Sequence, residues 1–173
     1  MIVLLHSPFT GSLVWSGVAA CLEAFGQRTV VPQFASAFED TSVTPDDLAA
    51  AAAMAIMEAG AQQAVIAVHS GAGSLVLPLL ELAGARVRTV IYVDALLPHP
   101  GKSWLSTLPA PLQARLVALS EDNRLPTWDR WFPADVLIAM LPNNAYSGDV
   151  GPAFRPKPGH GSGVCRAMRA WRG

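Results

Sequence analysis

Ser70 is the residue whose surroundings most invite chemistry. It follows the apolar run Ala64-Val65-Ile66-Ala67-Val68, sits between His69 and the small residues Gly71-Ala72-Gly73, and is followed by a helix-like stretch. A strand that turns sharply into a helix at a serine lifts the hydroxyl above the sheet edge. It also sets that hydroxyl at a helix N-terminus, where backbone N–H groups can hold a developing oxyanion. The chemistry this implies is acyl transfer through a serine nucleophile. Such a hydroxyl needs a base to take its proton, and the base needs an acid to orient it. Asp94 and the four histidines His6, His69, His99 and His160 are the residues of the right type.

The elements that must position Ser70 can be read from the pattern around it. Residues 2–5 are an unbroken apolar run ending at His6-Ser7-Pro8-Phe9-Thr10-Gly11, as in a strand buried on both faces and followed by a loop. Trp15, Val18, Leu22 and Phe25 then recur at helical spacing and close on Gly26. Thr29-Val30-Val31 before Pro32 gives a second strand. Thr44-Pro45-Asp46-Asp47 supplies an N-cap, a proline at the first helical position and two acids in the first turn, opening an alanine-rich helix that ends at Gly60. Residues 64–68 make a third strand, 74–83 a third helix, and 87–93 a fourth strand ending at Asp94. Pro78 is expected to kink the third helix or leave a carbonyl unpaired. Strictly alternating strands and helices, with strands apolar throughout, predict an α/β fold: a mostly parallel sheet between helical layers, a three-layer sandwich.

From Pro98 onward the pattern changes. Prolines, tryptophans and short helical pieces dominate, with Pro109-Ala110-Pro111 opening one candidate helix and Pro133-Ala134-Asp135 another. Residues 99–141 read as a lid over the strand ends, with Trp104, Trp128 and Trp131 able to line an apolar pocket or to pack the segment onto the sheet. Residues 1–141 thus form the core with its lid. Residues 142–173 lose periodicity to glycine, proline and arginine and read as an irregular tail.

The bulk composition narrows the function. The chain has 173 residues, 51% of them hydrophobic and 14% charged, which suits one compact domain and argues against extensive disorder. Twelve basic residues against thirteen acidic ones, with no basic stripe carrying aromatics, disfavour nucleic acid as a partner. Cys21 and Cys165 suggest neither a disulfide framework nor a zinc cluster. The N-terminal apolar run is too short for a signal peptide or a membrane span, so a cytoplasmic location without membrane partners is the default expectation.

With these elements in place, the chain resembles the α/β-hydrolase superfamily, in particular small bacterial hydrolases. The resemblance rests on the strand ending in His6-Ser7-Pro8, the Trp15 helix and the His69-Ser70-Gly71-Ala72-Gly73 elbow. It covers residues 1–100, and more loosely 1–141. Val68 stands where the family usually has glycine. The resemblance implies that Ser70 is the nucleophile of a serine esterase or thioesterase acting on small esters or thioesters without a cofactor. The Gly71 amide would form one side of the oxyanion hole. A second amide would come from the loop after the first strand, from Ser7, Phe9 or Thr10, since Pro8 has no N–H.

It further implies Asp94 as the acid and His160, by chain order, as the base. Asp94 could equally cap a turn. His69, next to the serine, is expected to point away from the hydroxyl. His6 suits a substrate contact or a core hydrogen bond, and His99 a solvated turn. The family's last strands are absent from the pattern, which suggests a truncated or frameshifted member with residues 142–173 unrelated to the ancestral C-terminus. Uncovered sheet edges would favour self-association into a homodimer.

Three other readings stay open. One is a relative without catalysis that binds a small apolar ligand, and another is a lyase resembling the hydroxynitrile lyases. The third is a dinucleotide-binding protein, because Gly71-Ala72-Gly73 opens a helix and Asp94 follows at near-fingerprint spacing. Val76 at the third glycine position weakens it.

Overall fold

A computed structural model describes residues 1–34, 43–99, 101–103, 105–120, 133 and 135–136. Its frame is a parallel sheet in the order β2-β1-β3-β4, with β1 at Ile2–Leu5, β2 at Thr29–Val30, β3 at Ala64–His69 and β4 at Val87–Val93. Four helices accompany it among the described residues: α1 (Ser16–Ala24), α2 (Pro45–Glu58), α3 (Val76–Ala83) and α4 (Ala110–Leu119).

The period-two geometry of the strands sorts the core into two layers. Val3 and Leu5 of β1, with Ala64, Ile66 and Val68 of β3, pack against α2 and the elbow helix through Ala49, Ala52, Ile56, Leu75 and Leu79. Leu4 and Ala67 turn to the opposite face and meet Trp15, Val18 and Leu22 around α1. The central strands are therefore covered on both sides, which is why their sequence is apolar without alternation. β4 differs. Val90 and Tyr92 pack on the α2–α3 layer, while Ile91 and Val93 on its other face are 47% and 39% exposed.

Local signals set the helix ends. Thr44 and Asp47 form a reciprocal capping box: the Asp47 N–H donates to Thr44 Oγ1 at 3.3 Å, and the Thr44 N–H donates to Asp47 Oδ2 at 2.8 Å. Gly26 and Gly60 close α1 and α2 at φ +75° and +68°.

One expectation needs correction. The third helix begins as a 3₁₀ turn over Ser70–Leu75 and becomes α-helical only at Val76. Pro78 then falls in the first α-helical turn, where an absent N–H costs no intrahelical bond, so it does not interrupt the helix.

Among the described residues no helix is long and apolar enough to cross a membrane, and no group of three or more potential ligands could hold a metal ion.

Candidate active site

Because the strands run parallel, the segments leaving β1, β3 and β4 emerge at one edge of the sheet, where α/β folds place their ligands. Three loops meet there: His6–Thr10, the elbow at Ser70, and the turn Asp94–Leu96.

The elbow is held in a conformation few residues adopt. His69 is extended at φ −116°, ψ 135°, and Ser70 then turns to φ +53° before the 3₁₀ helix begins. A left-handed backbone at a residue with a Cβ costs roughly 1–2 kcal/mol, so the surrounding structure must enforce it. Enforcement comes from both sides. The Leu96 N–H donates to the Ser70 carbonyl at 3.1 Å. Ser74 Oγ donates to the Gly71 carbonyl at 2.8 Å. Val68, at the position where the sequence resemblance led to an expectation of glycine, is fully buried in the α2–α3 layer and does not prevent the turn.

Opposite Gly71 lies the loop after β1. A Cβ placed on Gly71 would come within 3.0 Å of Ser7 Oγ and 3.6 Å of the Phe9 ring, so a glycine lets this loop close on the elbow. Within the loop the Thr10 N–H donates to the Ser7 carbonyl at 3.1 Å, which commits that amide to the turn itself. The Phe9 N–H donates to Ser7 Oγ at 3.3 Å, a long bond to a hydroxyl that can rotate. Of the second-amide candidates in this loop, Phe9 thus has the weaker commitment and Thr10 the stronger.

Asp94 follows the His69–Val93 pair of the β3–β4 register, which sets it beside Ser70 at the sheet edge. It is exposed and turns to φ +45°, a left-handed conformation that aspartate tolerates better than most residues.

The described histidines take distinct places. His6, 3% exposed, stacks tilted on Phe34 at 4.6 Å, and its Nδ1 lies 2.8 Å from the Ser7 carbonyl. A carbonyl can only accept, so Nδ1 carries the proton and the ring braces the loop from within the core. His69 turns its ring edge-on to Trp15, with centroids 5.9 Å apart. Burial lowers its pKa below 6.5, and the nearby Asp94 charge only partly opposes the shift. Among the described residues, neither His69 Nδ1 nor Trp15 Nε1, both buried, has a hydrogen-bond partner. His99 is exposed in a turn whose Lys102 N–H donates to its carbonyl at 3.1 Å.

His160, Trp104, Trp128 and Trp131 lie outside the described residues, as does the tail from 142 onward. The site thus brings together Ser70, Gly71, Phe9, Thr10, His6 and Asp94. Sequence reasoning did not foresee that Leu96 anchors the elbow. Leu96 acts through its backbone alone, and a backbone contact leaves no residue-type signal.

The chain matches no family model and no curated protein. Solved structures do resemble it. One is an extracellular α/β-hydrolase from a Paenibacillus species, described as sharing structural and functional homology with tobacco salicylic acid binding protein 2. It superposes with a TM-score of 0.63 at 22% identity, over 68% of this chain and 50% of that one. Another is a pyrethroid hydrolase from Sphingobium faniae, with a TM-score of 0.53 at 24% identity, over 63% of this chain and 45% of that one. The chain spans half the length of these neighbours or less.

Proposed function

We propose that this chain, which has the α/β-hydrolase fold, is a serine hydrolase that cleaves small esters or thioesters through an acyl-enzyme on Ser70. The observation that carries the reading is the left-handed Ser70 at φ +53°, held at the strand-to-helix turn with the β1 loop closed against Gly71. Strain of this kind persists where a serine must project from an elbow toward its substrate.

In this reading Ser70 Oγ attacks the carbonyl carbon of the substrate as its proton passes to a base. The Gly71 amide, starting a helical turn, and the Phe9 amide, on release from Ser7 Oγ, face the oxyanion that forms. Collapse of the intermediate breaks the bond to the alcohol or thiol, which leaves with the proton the base had taken. Water then attacks the acyl-enzyme by the same route in reverse, returning Ser70 and releasing the acid. The base is assigned to His160 by chain order, and its orienting acid to Asp94 by its place beside the elbow.

The test is the intact mass of the protein after exposure to a fluorophosphonate probe, with Ser70→Ala alongside. A single adduct on the wild-type chain that is absent from the variant supports an activated serine. A folded protein that takes no adduct overturns the hydrolase reading and favours a ligand-binding relative.

A further inference from the structure

We infer that the side chain of Ser7 is a further donor to the oxyanion: its hydroxyl, beside the Gly71 and Phe9 amides, holds the oxygen that turns negative as Ser70 attacks. This rests on the hydrolase reading of Ser70.

The backbone of Ser7 is held in place from within the core. Its carbonyl accepts from His6 Nδ1 at 2.8 Å, from the Thr10 N–H at 3.1 Å and from Thr10 Oγ1 at 3.3 Å. The hydroxyl is then the part of this buried residue that remains able to turn.

That hydroxyl is aimed at the elbow. Ser7 Oγ lies 3.0 Å from the place a Cβ on Gly71 would take. An amide nitrogen is about 2.5 Å from the Cβ of its own residue, so Gly71 N and Ser7 Oγ are at most about 5.5 Å apart. One oxygen between them can accept from both within the ~2.7–3.1 Å that oxyanion donors require. The Phe9 nitrogen, 3.3 Å from the same Oγ, borders that point as well.

The proton is available too. A hydroxyl accepts through its lone pairs and donates through its own hydrogen, so the bond from the Phe9 N–H leaves the Ser7 proton to give. As substrate enters, its carbonyl oxygen takes over the Phe9 N–H, whose bond to Ser7 Oγ is long, and the Ser7 hydroxyl turns its hydrogen onto the same oxygen. Ser7 and Gly71 are both buried, and hydrogen bonds to a growing charge are stronger away from water.

The experiment compares Ser7→Ala and Ser7→Thr with the wild type in hydrolysis of p-nitrophenyl acetate, with the melting temperature of each recorded. Ser7→Ala is expected to lower kcat about 100-fold with KM nearly unchanged, as the loss of a donor used only in the transition state would. Ser7→Thr restores a hydroxyl and should recover most of the rate. Inhibition by 1,1,1-trifluoro-2-butanone gives a second readout. Its carbonyl carbon takes Ser70 Oγ while the serine proton passes to the base, which leaves a tetrahedral oxyanion in the site. In Ser7→Ala the affinity for this ketone should fall by the same factor as kcat/KM, a correspondence that a residue merely bracing the loop would not produce. Should Ser7→Ala fail to fold, Ser7→Cys keeps the side chain's shape with a weak donor, and a loss in kcat of about tenfold or more is expected. A folded variant with unchanged kcat, or with a loss confined to KM, overturns the Ser7 assignment and leaves the hydrolase reading standing if Ser70 still takes the fluorophosphonate adduct. A folded wild-type chain that takes no adduct overturns both.

Discussion

Gly73 and Leu96 touch backbone to backbone. A Cβ built on Gly73 would fall onto the Leu96 carbonyl oxygen and lie 2.9 Å from the carbonyl carbon. The same Leu96 holds the Ser70 carbonyl through its N–H. One residue without a side chain thus allows the turn after β4 to reach the elbow and pin it.

Gly73→Ala should therefore be severe, because a backbone clash cannot be relieved by rotating a side chain. A loss of about 2 kcal/mol or more is expected, read as a fall of several degrees in Tm, together with weakened fluorophosphonate labelling as the Ser70 anchor shifts. Gly71→Ala meets Ser7 Oγ at 3.0 Å instead, a hydroxyl able to turn aside. Its thermal cost should be less than half that of Gly73→Ala, and equal melting temperatures for the two variants would contradict the contact described.

The left-handed Ser70 predicts an unusual order of stabilities. Ser70→Gly removes the Cβ that resists φ +53° and should melt higher than Ser70→Ala, by up to about 1 kcal/mol once the greater freedom of glycine in the unfolded chain is subtracted. Neither variant should take the probe. An alanine variant as stable as the glycine variant would show that the elbow is not strained.

His69 should make stability fall in mild acid. Its folded pKa lies below 6.5 because burial against Trp15 disfavours the charged ring. As pH drops through 6.5 the unfolded chain binds the proton first, so the unfolded state gains. Stability contributed by His69 is present above pH 6.5 and is lost as pH falls from there toward the folded pKa. His69→Phe keeps a ring against Trp15 and removes the titration. Denaturant unfolding between pH 7.5 and 5 should show a shallower loss for this variant than for the wild type, and equal losses would contradict the burial of the His69 ring.

Thr44→Ala breaks the capping box of α2, the helix that covers one face of the sheet. The expected cost is about 1 kcal/mol. Thr44→Ser, which keeps the hydroxyl acceptor, should recover most of it, and chemical denaturation of both variants measures the difference.

Much of the frame was legible in the sequence. The apolar runs at residues 2–5 and 64–68 were read as doubly buried strands, and Val3, Leu4, Leu5, Ile66, Ala67 and Val68 are all buried. Thr44-Pro45-Asp46-Asp47 announced α2 through side-chain chemistry that acts within one turn. Pro78 misled because its effect depends on the turn in which it falls, and the 3₁₀-to-α change at Val76 sets that turn. The order β2-β1-β3-β4 places Ser70 between segments more than twenty residues away on either side. The contacts that matter there, Leu96 with Ser70 and Gly71 with Ser7, join backbone and hydroxyl atoms that no periodicity marks.

The register of β3 with both β1 and β4 has a consequence for how the protein reaches its working form. The elbow is assembled from residues 7–9, 70–74 and 94–96, which meet only when three parallel strands have paired across long crossovers. Contacts of such sequence separation form late and slowly. A chain still folding would own every residue of the site and lack the strained serine, so the appearance of probe reactivity after dilution from denaturant becomes a clock for completion of the sheet itself.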